Sequence, residues 1–155
     1  DASAMLWRLK LRFVDAPSRR GALADRWAAV AHLPEAGNYA FNDLHAMMAF
    51  VGAGREADAA RLLETQRRVL QQGQGDTLMF MRDVGHDATR AVHALAHGDA
   101  AQAVQLLRPL RSHAHRFGGS HAQRDIIDLT LIAAAEQSGQ RTLARALHHE
   151  RAARH

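Results

Sequence analysis

The chain has 155 residues, with 20 Lys and Arg against 16 Asp and Glu, 11 His and no Cys, and 47% of it is apolar. That length suits one domain with its own core. The apolar fraction excludes intrinsic disorder, and the missing cysteine excludes disulfide scaffolds, thiolate metal sites and cysteine nucleophiles.

No apolar run reaches the ~20 residues that span a bilayer, and nothing reads as a signal peptide. A soluble, cytoplasmic domain without membrane contact is the expectation. Lys10 is the sole lysine, and alanine makes up about a fifth of the chain, a usage that fits a GC-rich coding sequence. Nucleic-acid binding would gather arginines on one face with stacking aromatics between them. Here the arginines are scattered from Arg19-Arg20 to Arg154, so no nucleic-acid partner is expected. The chain opens Asp1-Ala2-Ser3-Ala4-Met5 with a helical pattern already running, which suggests a C-terminal fragment of a longer protein.

The apolar periodicity is helical throughout and predicts eight helices in four hairpins, about 2–33, 39–72, 77–111 and 120–154. The first helix, roughly 2–14, carries Leu6, Leu9 and Phe13 and stops before Pro17. The second, about 22–33, carries Leu23, Trp27 and Val30. Phe41, Leu44, Met48 and Val51 stripe the third, about 39–51, and Ala59, Leu62, Leu63 and Leu70 stripe the fourth, 55–72. The fifth, about 77–97, turns Val84, Ala88, Ala91, Val92 and Leu95 inward. In the sixth, Asp99 is placed to N-cap and Gln102 to complete a capping box. Ser120 and Gln123 repeat that spacing ahead of the seventh, whose run from Ile126 to Ala135 is apolar nearly all round and so packs on both sides. The last helix runs to about Arg154. Met47, Met48, Met79 and Met81 are read as core fillers.

Three turns align. In Gly54-Arg-Glu-Ala-Asp-Ala59, Gly98-Asp-Ala-Ala-Gln-Ala103 and Gly139-Gln-Arg-Thr-Leu-Ala144, alanine falls five positions after glycine; leucine falls eight after it, at Leu62, Leu106 and Leu147. Each unit is then a helix, a glycine turn and a second helix whose small residue allows close approach. Such hairpins stack into a right-handed α-solenoid. A plain antiparallel bundle is the competing arrangement.

The stretch Gly98 to Leu107 resembles the turn and second helix of a tetratricopeptide repeat, in a divergent form longer than the usual repeat. Three further stretches carry a more specific likeness: Ala40-Phe-Asn-Asp-Leu-His45-Ala-Met-Met-Ala49-Phe, Val84-Gly85-His86, and Gly118-Gly119-Ser120-His121-Ala122-Gln123-Arg124-Asp125. With these, the chain resembles the C-terminal part of the tetratricopeptide-repeat protein 38 family over nearly its whole length. The resemblance implies a tetratricopeptide-like α-solenoid and no defined reaction.

The same stretches hold the candidate site: Asp43, His45, His86, Ser120, His121, Gln123, Arg124 and Asp125. Three readings compete for them. They are caps and ties between helices, since buried polar groups must be paired. Or the Gly-Gly-Ser turn and helix start form an anion site, with Arg124 as a carboxylate or phosphate fork and the histidines as further donors. Or the histidines with Asp43 or Asp125 hold a metal. HExxH is absent, while His93/His97 and His113/His115 are close pairs with no obvious third ligand, so no metal and no cofactor is expected. The leading expectation is a binding or scaffolding module whose groove accepts a peptide segment or a small anionic ligand. The alternative is an enzyme, with or without a metal, built on His45, His86, His121 and Arg124. An apolar face around Leu6, Leu9 and Trp27 is further expected to drive self-association or helix exchange.

Overall fold

A computed structural model describes residues 2–14, 17–31, 39–112 and 121–153; the side chains of residues 17, 18, 31, 77 and 121–124 lie outside that description. All regular structure among the described residues is helical: α1 (Ala2–Leu11), α2 (Pro17–Ala31), α3 (Ala40–Ala53), α4 (Glu56–Gln72), α5 (Gly75–Phe80), a π-helical turn (Met81–Gly85), α6 (His86–Ala96), α7 (Ala100–Leu110), α8 (His121–Gln137) and α9 (Arg141–Ala152). The π turn joins α5 to α6 without a break in helical backbone. The described chain is therefore eight helical rods.

The aligned glycines behave as the repeat requires. Gly54, Gly98 and Gly139 have φ of 68°, 82° and 73°, the left-handed conformation that glycine adopts without a steric penalty at a helix end. The alanines five positions on are buried to the same degree: Ala59 and Ala103 are fully enclosed and Ala144 is 6% exposed. Asp99 N-caps α7 through the Gln102 backbone N–H at 3.0 Å. The expected capping box is only half made, because the Asp99 N–H goes to the Ala94 carbonyl instead.

α3 packs on α4, α6 on α7 and α8 on α9, as hairpins should. The first members of the four hairpins also touch in a circuit: α1 meets α3, α3 meets α6, α6 meets α8, and α8 meets α1. In a linear solenoid each unit contacts only its neighbours, so the α1–α8 contact lies outside that scheme. One continuous cluster of buried side chains runs through the circuit, from Trp7 through Leu44, Met47, Val84 and Ala88 to Ile127 and Leu131. Where an open groove was expected, these helices face a packed core.

The stripes of the third, fourth and fifth predicted helices are buried except for Leu70, which is half-buried, and Ile126 to Ala135 is enclosed apart from half-buried Asp128 and Leu129. Several local expectations are corrected. α1 ends at Leu11 and turns through Phe13, whose φ is 58° and whose side chain is exposed. α2 starts at Pro17, five residues early, as suits a proline whose fixed φ is already helical. Among its described side chains the buried one is Ala24, whereas Val30 is exposed. Met79 is exposed too; Met47, Met48 and Met81 do fill the core.

Candidate functional site

Because α1, α3, α5–α6 and α8 are the first members of successive hairpins, they run parallel, and their contacts agree. Lys10, late in α1, donates to the Val51 carbonyl late in α3 at 3.4 Å, while Gly85, just before α6, lies against Ala40 at the start of α3. Parallel packing turns the N-terminal ends of α1, α3 and α8, with the positive poles of their dipoles, toward one end of the molecule, while the continuous α5–α6 rod begins ten residues before the glycine that meets Ala40. Of the sequence-predicted residues, Asp43, His45 and Asp125 lie toward that end, while His86 sits midway along the α5–α6 rod, level with the start of α3.

They do not form one cluster. Asp43 and His45 are two positions apart, roughly 200° around the helix, and point to different neighbours. Asp43 faces α4, where Gln66 donates from Nε2 both to Asp43 Oδ2 at 3.1 Å and to Thr89 Oγ1 at 3.1 Å. The Gln66 Oε1 atom accepts from His86 Nδ1 at 3.0 Å, and Thr89 passes its hydroxyl proton to the Gly85 carbonyl at 2.8 Å. Donors and acceptors thus follow one another from His86 through Gln66 to Asp43 and Thr89. Gln66 and Thr89 are fully buried, and neither was predicted from sequence. The π turn sets the register: the His86 N–H bonds to the Met81 carbonyl five residues back. A Cβ on Gly85 would collide with the Ala40 Cβ, so only glycine admits this approach of α3. Burial lowers the His86 pKa, with Arg90 adding to the effect.

His45 is the exception to full pairing. It is 2% exposed, its Nδ1–H donates to the Phe41 carbonyl at 2.8 Å, and its ring packs on Phe41 with centroids 4.2 Å apart. Its Nε2 is a buried atom with no hydrogen-bond partner. A carbonyl can only accept, so the proton is on Nδ1 and Nε2 carries the lone pair. Burial holds the pKa of this imidazole below its ordinary value, and Arg8 of α1 pushes the same way. His45 is thus a neutral ring with an unused acceptor.

Asp125, in the second turn of α8, is bound by Arg151 of α9 through both carboxylate oxygens and by Arg8 at 3.8 Å. The cross-hairpin arginine that ties this carboxylate is Arg151. Ser120 lies outside the described residues, as do the side chains of His121, Gln123 and Arg124; α8 itself begins at His121.

No family model matches the chain, and no solved structure matches it. No described helix is long and apolar enough to cross a membrane.

Proposed function

We propose that the protein is a helical-repeat binding module, a divergent tetratricopeptide-like solenoid of the kind its resemblance to the protein 38 family implies, and that it binds a small anionic ligand at the N-terminal end of its first-member helices. The unpaired Nε2 of buried His45 carries this reading. Leaving a buried polar atom without a partner costs about 1–3 kcal/mol, a cost that a ligand supplying an O–H or N–H would remove. Around it, the helix starts favour negative charge. Arg8, which also meets Asp125 at 3.8 Å, adds positive charge felt at His45, and Arg124 is the cation that the Gly-Gly-Ser-His motif brings to the proposal from its sequence.

The ligand so defined is a carboxylate or phosphate compound that also carries a hydroxyl or amine for His45. A peptide segment meets the same description through its carboxylates and N–H groups. The stacking of hairpins in glycine register favours the solenoid, with the α1–α8 contact as a closure added to it.

A thermal-shift screen of carboxylates, phosphates and acidic peptides on the chain and on His45→Gln tests the proposal. A stabilisation that grows with ligand concentration and disappears in His45→Gln and Arg124→Ala is expected. Equal stabilisation of all three proteins would reject the site. A neutral imidazole with its lone pair free is also the form a general base takes, and this favours the enzyme as the second reading, with His45 as the base.

A further inference from the structure

We propose that Glu56, His93 and His97 form a binding site for a divalent transition-metal ion of the zinc class, at the junction of the second and third hairpins. His93 lies in the last turn of α6 and His97, four residues on, is its C-cap, with their ring centroids 4.2 Å apart, and Glu56 opens α4. His97 Nε2 lies 2.9 Å and His93 Nε2 3.8 Å from the same carboxylate oxygen, Oε2 of Glu56. One ligand atom from each residue falls within 4.8 Å of the others. Ligands bound to zinc at ~2.0–2.1 Å in a tetrahedron are separated by roughly 3.3 Å, so small rotamer adjustments close these three atoms onto one ion.

The hydrogen bonding prepares the site. His97 Nδ1 lies 2.8 Å from the His93 carbonyl and must donate to it. This leaves Nε2 directed at the Glu56 carboxylate oxygen, 2.9 Å away. A ring N–H given to a backbone carbonyl is the usual outer-shell support of a metal-bound imidazole, fixing its tautomer and orientation.

Access needs no opening of the fold, since the His97 and Glu56 side chains are 42% and 56% exposed. Three protein ligands leave the fourth position of a tetrahedron to water or an exogenous group. The site lies at the opposite end of the first-member helices from His45. A cleft of about 450 Å³ in the same region is lined by Leu95, Ala96 and Gly98 together with Trp7, Lys10 and Arg20.

Isothermal titration with zinc chloride tests the proposal on the native chain and on His93→Ala, His97→Ala and Glu56→Gln. His148→Ala is the control, because His148 forms an exposed pair with Glu136 at 2.8 Å, without a second histidine in the group. One equivalent should bind the native chain and the control alike. Each of the three ligand variants should weaken binding by at least the ~10–100-fold that loss of an outer-shell partner costs, with unchanged helical circular dichroism. The proposal is overturned if the ligand variants bind zinc as tightly as the native chain, or if the native chain takes up no equivalent near neutral pH.

Discussion

Trp7 donates its indole N–H to the Thr130 hydroxyl at 3.0 Å, joining α1 to α8 across 123 residues of chain. Both residues are buried, and Thr130 hands its own proton to the Ile126 carbonyl at 2.6 Å. The bond closes the circuit of first-member helices and makes the first hairpin depend on the last.

Removing the acceptor isolates that closure. Thr130→Val keeps the shape and strands the indole N–H, and should cost about 1–3 kcal/mol. Trp7→Ala also opens a cavity and should cost about 3–5 kcal/mol. Urea unfolding followed by tryptophan fluorescence and by helical circular dichroism should give one shared transition. A separate early loss of the first hairpin would show that the chain unfolds unit by unit, as an open array does.

Gln66 is the common partner of Asp43, Thr89 and His86. Gln66→Ala should destabilise by about 2–3 kcal/mol through the polar groups it strands. Gln66→Glu sets a second carboxylate against Asp43, where like charges disfavour ionisation. At pH 7 it should be less stable than Gln66→Ala and should recover on acidification as the pair takes up a proton. Melting temperatures of the two variants between pH 5 and 7.5 decide this.

Gly85→Ala runs against the usual helix preference. Alanine gains about 1 kcal/mol over glycine in a helix interior, but its Cβ meets the Ala40 Cβ and comes within 3.2 Å of Met81 Sδ. Overpacking of this kind costs about 1–3 kcal/mol, so a net loss is expected. Ala40→Gly in the same chain should recover part of that loss, a non-additivity that a double-mutant cycle measures.

The pH dependence has a definite sign at His45. Its folded pKa lies below the ordinary 6.5, so between the two values the unfolded chain binds more protons and stability rises with pH. The contribution is whole above about pH 6.5 and is lost as pH falls through the folded value. His86 acts in the same direction, whereas the raised pKa of His97 acts oppositely, through its folded form holding the extra proton. His45→Gln should flatten the fall in melting temperature below pH 6.5, and an unchanged profile would remove His45 from this role.

Repeat features were legible because they are local. A glycine that must take positive φ and an alanine five residues on at a close helix contact leave their marks within one turn. The packing of Ile126 to Ala135 on both sides could be read for the same reason. The closure by Trp7 and Thr130 could not, since nothing near either residue specifies a partner in another hairpin. Gln66 falls by spacing on the stripe of Ala59, Leu62, Leu63 and Leu70, so its burial was open to a reading of the helix, whereas its partners Asp43, Thr89 and His86 come from other helices and left no local mark. His93 and His97 stood out by spacing, but their third ligand, Glu56, comes from the preceding hairpin and only the tertiary fold brings it near. The division of Asp43 from His45 was implicit in helical geometry, two positions being too few to share a face.

The central claim is that the His45 Nε2 lone pair is the acceptor for a bound ligand, and ¹⁵N NMR of the imidazole reads that atom directly. In the free chain His45 should show a protonated Nδ1 and an unprotonated, unbonded Nε2. Titration with the most stabilising compound of the anion screen should move the Nε2 resonance in step with the thermal stabilisation. A stabilising compound that leaves both His45 nitrogens unmoved would contradict the account.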